Sequence, residues 1–175
     1  MPELASAAAG PTRDREQPHA EGVRAVRRFV DQLPGAVSRD RAGALPPELL
    51  ESARELGLFG LAIPEVHGGL GFGLGTVASV VAELARVDRS LATTIGLHNG
   101  LGTRALIEAD APVLAARHLP ELASGARISA FAATEPGAGS DLTAIQTTAR
   151  RDGASLLLSG EKAYVTNAGL AGLFT

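Results

Sequence analysis

The sequence predicts an α+β protein: an N-terminal α-helical bundle, then the first strands of a sheet that is not yet closed. Three observations carry this. Apolar residues recur at helical spacing from Glu21 to about Leu122. From Ile128 onward the period changes to 2, and Asp152-Gly153 separates two strand-like runs. The expected organisation is a disordered tail over residues 1–20, a helical domain over 21–126 and a partial β-domain over 127–175.

The first twenty residues mix Ala, Pro, Gly and charges without periodicity. Val23, Val26, Phe29 and Val30 then form an apolar stripe, with Arg24, Arg27 and Arg28 on other faces, and Pro34-Gly35 ends that helix. Pro46-Pro47 opens a second helix, Glu48 to Leu56, with Gly57 as its cap. The Gly68-Gly-Leu-Gly-Phe-Gly-Leu-Gly75 segment fits neither a G-x-G-x-x-G nor a G-K-[ST] pattern, so a flexible connector is expected there. Thr76 to Val87 carries the stripe Val77, Val80, Val81, Leu84 and Ala85. Ser90 is the expected N-cap of a helix reaching about Gly100, followed by short helices Thr103 to Ala109 and Pro112 to Leu122. Expected strands are Ile128 to Ala133, Gln146 to Arg151, Ala154 to Ser159 and Glu161 to Thr166. The chain stops at Thr175 before such a sheet could close, as a fragment would.

Composition narrows the function classes. Hydrophobic residues make up 45% and charged residues 20%, as in a folded globular chain. A net charge of −3 with mixed signs gives no footprint for nucleic acid. Lys162 is the only lysine among 16 basic residues. There is no cysteine, which excludes disulfides, thiolate nucleophiles and Cys-based metal sites. No apolar run approaches the ~20 residues of a membrane span, and Met1 to Gly10 lacks the basic start and apolar core of a signal peptide, so a cytoplasmic setting is expected. None of His19, His67, His98 and His118 lies three or four residues from another, which argues against a metal site. His98 reads as a packed or solvent-facing structural residue.

The chemistry concentrates after Ile128. Phe131-Ala-Ala-Thr-Glu-Pro-Gly-Ala-Gly-Ser-Asp141 starts as a strand and ends in a hydroxyl-bearing, Gly-rich loop. Such a loop can hold a polyanionic cofactor, whereas turn chemistry alone also explains Pro136, Gly137 and Gly139. Ser140 is not a nucleophile elbow, because Leu142 stands where G-x-S-x-G needs glycine. Glu135 is held by the restraint before Pro136 and reads as a backbone element.

Thr134-Glu-Pro-Gly-Ala-Gly-Ser-Asp141 and Gly160-Glu-Lys-Ala-Tyr-Val-Thr-Asn-Ala168, taken together, resemble the acyl-CoA dehydrogenase family. Glu55-Leu-Gly-Leu58, Ile63-Pro-Glu-Val-His-Gly-Gly-Leu-Gly71 and His118-Leu-Pro-Glu-Leu-Ala-Ser-Gly125 fit the same family in the same order. The resemblance implies a helical domain, a middle β-barrel and a C-terminal helical domain, with FAD between the last two. It implies α,β-dehydrogenation of an acyl thioester, on CoA or a carrier protein, with electron-transfer flavoprotein as electron acceptor and a homo-oligomeric assembly. Carried onto this chain, Phe131, Ala133 and Thr134 would meet the flavin's pyrimidine side, and Ser140 would sit near the pyrophosphate and the substrate entry. Tyr164, Val165 and Thr166 would lie along the ring, Tyr164 where the family usually has tryptophan or phenylalanine. The family's catalytic glutamate has no counterpart in these 175 residues, so no catalytic residue is assigned and the chain alone is expected to be inactive. A non-catalytic remnant or interaction module that does not retain FAD is the competing expectation.

Overall fold

In a computed structural model that describes residues 13–33 and 36–175, helices occupy the chain up to Ala123 and short strands follow. Residues 1–12 of the expected tail lie outside the described set, as does the Pro34-Gly35 stop. The first helix, α1 (Arg13–Asp31), begins before the expected Glu21, so residues 13–20 are helical rather than tail. Its stripe works as read: Val26 and Val30 are buried, with Val23 and Phe29 packed beside them. A short α2 (Ala36–Ala42), without a readable stripe, was not anticipated. Next comes α3 (Pro47–Glu55), opened by its proline and closed by Gly57 in the left-handed region at φ 69°.

The Gly-rich segment is not a loose connector. Leu70, Gly71 and Phe72 donate backbone hydrogen bonds to Gly60, Ile63 and Leu61 at 2.8, 2.9 and 2.7 Å. Gly69 makes this possible, since a Cβ there would lie 2.0 Å from the Ile63 carbonyl oxygen. The glycines thus lay backbone on backbone, and Phe72 packs onto the core.

The centre of the bundle is α4 (Leu74–Ala85) against α5 (Arg89–Leu97), with α1 on α4. Val77, Val80 and Leu84 on α4 meet Leu91, Ala92 and Ile95 on α5 in one core, which Ile128 of the first strand joins. Fully burying one such side chain is worth about 1.5–3 kcal/mol, so this face holds the bundle together. Asp88, not Ser90, caps α5: its carboxylate accepts from the Leu91 amide at 2.9 Å. It also pairs with Arg39 of α2 at 2.8 Å, both side chains nearly enclosed, so the acid outcompetes the hydroxyl two residues on. A π-type turn, His98–Gly102, leads to α6 (Thr103–Glu108) and then α7 (Pro112–Ala123).

The strands form two separate pairs. β1 (Ile128–Ala130) and β4 (Ala171–Phe174) run parallel, while β2 (Thr148–Asp152) and β3 (Ser155–Ser159) form an antiparallel hairpin. The hairpin turn is Gly153-Ala154, one residue later than Asp152-Gly153, because Asp152 still pairs with Ser155. Gly153 has φ 59° while Ala154 does not turn positive, the pattern of a II′ rather than a I′ turn. Every residue of β2 and β3 is exposed, including Leu156, Leu157 and Leu158. The expected strand over Glu161–Thr166 is absent. Its alternation is real, with Ala163 and Val165 half-buried and Tyr164 and Thr166 exposed, but Tyr164 and Asn167 adopt φ 54° and 68° and turn the chain. The strand that pairs with β1 lies just beyond, at β4. Among the described residues no helix is long and apolar enough to cross a membrane.

Candidate functional site

The site is built where the chain leaving β1 runs beside the chain returning to β4. Thr175 accepts from the Ala132 amide at 2.8 Å and donates to the Ala130 carbonyl at 3.0 Å, so this edge of the extended segment faces β4. Successive residues of an extended chain point their amides to opposite sides. The Phe131 and Ala133 amides therefore face away from β4. Among the described residues neither they, nor the Thr134 amide and hydroxyl, have a hydrogen-bond partner.

Thr134 is tied to the second motif directly: its carbonyl accepts from the Ala163 amide at 2.9 Å. That bond sets Thr134 against Ala163, so the two stretches singled out in the sequence meet there. Tyr164 is 94% exposed and held in the left-handed region. Such strain in a non-glycine residue costs about 1–3 kcal/mol and collects at functional sites. After Glu135 the chain turns back tightly, with Glu135 and Ala138 exchanging backbone hydrogen bonds of 2.9 and 3.1 Å across Pro136-Gly137. Ser140 lies exposed beyond that turn, and no hydrogen bond ties it to Tyr164–Thr166. A Cβ at Gly137 or Gly139 would meet nothing within 4 Å, so the loop offers bare backbone to a ligand.

Four residues whose side chains the sequence reading did not use for the site hold it in shape. Glu135 is buried and acts through its carboxylate, which corrects the expectation of a backbone role. It accepts from the Gln146 amide at 2.7 Å, the Thr147 amide at 3.0 Å, the Thr147 hydroxyl and the Lys162 ammonium at 2.9 Å. The Thr147 hydroxyl above all, then the Gln146 amide and Lys162, hold its pKa down at about 2. Lys162 also donates to the Ala133 carbonyl at 3.1 Å. Asn167 donates to the Thr94 carbonyl of α5 at 3.0 Å and the Ser129 carbonyl of β1 at 3.3 Å. His98, fully buried, accepts from the Ser129 amide at 3.0 Å through Nδ1, while its Nε2 faces the Leu122 carbonyl at 3.1 Å. Ser129 is thus gripped at both ends of its backbone, just before the open edge. Two of these residues left a signal: Lys162 as the sole lysine, and Asn167 as a residue type that tolerates positive φ.

Behind Asn167 lies an open groove of about 900 Å³ bounded by α2, the start of α5 and the Asn167–Leu170 turn. No cluster of three or more His, Asp or Glu suited to a metal occurs among the described residues.

Comparison with known proteins gives this fold and edge a family. The model for "Acyl-CoA dehydrogenase, N-terminal domain" matches residues 17–126, and that for "Acyl-CoA dehydrogenase, middle domain" matches residues 130–175. The chain belongs to the acyl-CoA dehydrogenase family. It is 38% identical over 151 residues to benzylmalonyl-CoA dehydrogenase of Aromatoleum aromaticum, covering 85% of this chain and 40% of that protein. With an acyl-CoA dehydrogenase of Bacillus subtilis it shares 30% identity over 141 residues, or 81% of this chain and 37% of that one. The solved acyl-CoA dehydrogenase of Geobacillus kaustophilus superposes with TM-score 0.81 at 31% identity, over 95% of this chain and 43% of that chain. That of Bacillus anthracis, complexed with FAD, does so with TM-score 0.78 at 31% identity, over 90% of this chain and 28% of that chain. The chain therefore spans well under half the length of these relatives.

Proposed function

We propose that this chain supplies the helical platform and one wall of the flavin site of an acyl-thioester dehydrogenase. The observation that supports this reading is the Ala163–Thr134 backbone bond, which joins the stretch carrying the unpartnered donors of Phe131, Ala133 and Thr134 to the residue before Tyr164. The donor set suits a flavin: two amides on one extended edge, a threonine hydroxyl, and a glycine loop open to a pyrophosphate. When bound, FAD would supply the hydride acceptor for α,β-dehydrogenation.

In this reading the Phe131 and Ala133 amides and the Thr134 hydroxyl donate to the pyrimidine side of the ring. They stabilise negative charge there without having to reorganise, because β4 and Lys162 already hold the backbone. Tyr164, Val165 and Thr166 flank the ring, and Ser140 with the Gly137–Gly139 backbone lies toward the pyrophosphate and the thioester entry. Two acids of the loop, Glu135 and Asp141, are already engaged and not free to take the substrate's α-proton. Glu135 is saturated by donors, and Asp141 caps its own turn by accepting from the Thr143 amide at 3.0 Å and hydroxyl at 2.6 Å. The proton acceptor is expected from outside these 175 residues, and the chain by itself is not expected to turn substrate over. An acyl-CoA or acyl-carrier substrate of fatty acid metabolism, electron-transfer flavoprotein as acceptor, homo-oligomerisation and a cytoplasmic setting complete the proposal.

Titrating the purified chain with FAD and following flavin absorbance and fluorescence tests it. Saturable spectral change is expected, with Thr134→Val weakening affinity about three- to tenfold, the worth of one hydrogen bond. Absence of saturation, or identical affinity in Thr134→Val, would contradict the assignment.

A further inference from the structure

We propose that Lys162 is a positioning residue for the cofactor-facing edge, whose ammonium orients and polarises the Ala133–Thr134 peptide and so fixes the backbone of Thr134, whose hydroxyl serves that edge; the polarised Thr134 amide reports the contact. This rests on the reading of that edge given above. The lysine donates to the Ala133 carbonyl at 3.1 Å and to Glu135 Oε1 at 2.9 Å, using two of its three donor positions. A trans peptide is planar, with its carbonyl and amide on opposite sides. A cation fixed on the Ala133 oxygen therefore fixes the direction of the Thr134 N–H as well. Bonding a carbonyl also strengthens the amide of the same unit as a donor, by about 10–30% per bond, and a charged partner does more than a neutral one.

The lysine cannot wander from this carbonyl, because Glu135 is itself immobilised. The Gln146 and Thr147 amides and the Thr147 hydroxyl hold the carboxylate from the segment leading into β2. Gly160, directly after β3, closes the frame: a Cβ there would sit 2.2 Å from the Thr147 hydroxyl oxygen. The base of the hairpin thus clamps Glu135, Glu135 clamps Lys162, and Lys162 aims the Ala133–Thr134 peptide. Every other basic residue of the chain is arginine. A compact ammonium can reach a carbonyl and a carboxylate at once, where a planar guanidinium would seek a bidentate acid. The Lys162 side chain is 27% exposed, shielded enough for its field to act on the peptide.

Amide ¹H–¹⁵N spectra of the full chain test this without any flavin. In Lys162→Met the Thr134 amide proton should move upfield, by more than in Glu135→Gln, where the lysine keeps its bond to Ala133. In Lys162→Gln, which retains a neutral donor, it should move by an intermediate amount. With FAD added, Lys162→Met should bind about three- to tenfold more weakly than the parent chain, because the peptide that Lys162 holds sets the position of the Thr134 hydroxyl. An unmoved Thr134 resonance in Lys162→Met, or in Lys162→Gln should the methionine variant not fold, overturns the proposal. Equal displacement in Glu135→Gln and Lys162→Met also overturns it, since the ion pair would then only brace the hairpin. Should the parent chain not bind FAD, the flavin reading fails, while the Thr134 resonance still decides for or against the role of Lys162.

Discussion

Replacing His98 by asparagine should remove about one proton's worth of acid sensitivity from the fold. The ring is fully buried, stands edge-on to Phe59 with centroids 5.2 Å apart, and accepts from the Ser129 amide through Nδ1. Protonation would strip that acceptor and leave a cation in an apolar site. Desolvation accordingly lowers its pKa from 6.5 to about 4, against a smaller opposing effect of the Leu122 carbonyl. The unfolded chain takes up this proton near pH 6.5 and the folded chain only near pH 4, so stability falls as pH drops across that window and levels off below it. At about 1.4 kcal/mol per pH unit, the wild-type chain loses about 2 kcal/mol by pH 5 and about 3 kcal/mol by pH 4 from this group alone. Urea unfolding at pH 7, 6 and 5 measures it. The asparagine variant should be less stable at pH 7 yet lose about 2 kcal/mol less on going to pH 5. The same pH slope in both proteins would refute the argument that His98 is held neutral.

Three further perturbations follow from the same geometry. Gly69→Ala drives a methyl into the Ile63 carbonyl, and at about 3 kcal/mol of overpacking should lower the thermal midpoint by roughly 10 °C. Asp88→Ala removes both the α5 cap and a partner of a nearly enclosed Arg39, so chemical unfolding should show a loss of about 2–4 kcal/mol, against a few tenths for Ser90→Ala. Glu135→Gln should abolish the part of acid unfolding that belongs to this carboxylate. Its folded pKa is depressed to about 2, so its stabilisation is present above about pH 4.5 and is lost as pH falls toward 2, which circular dichroism between pH 5 and 2 would record.

What the sequence disclosed depends on whether a feature is local. The opening proline of α3 and the stripe of α4 each state their element within a few residues and stand where they were read, save that Ala85, expected in the stripe, is exposed. The α5 cap was misplaced because Asp88 and Ser90 both qualify locally. Arg39, 49 residues away, favours the acid. Alternation from Ala163 to Thr166 looked like a strand because side-chain burial does alternate there, while positive φ at Tyr164 and Asn167 has no period to show. The Gly-rich run was mistaken for slack chain because its partners, Gly60 to Ile63, are recognisable only once the fold is closed. The site divided the same way. Its two motifs were legible as residue strings, but the grip of His98 and Asn167 on Ser129 spans 31 and 38 residues and leaves no local trace.

The central claim is that Phe131–Thr134 and Tyr164–Thr166 form one cofactor-facing wall. The most direct test maps amide shifts of the ¹⁵N-labelled chain during titration with FAD. The account predicts that the largest changes fall on Phe131, Ala133, Thr134 and residues 164–166, with smaller ones at Gly137 to Ser140. Changes confined to the groove between α2 and α5, or no change at millimolar FAD, would contradict it.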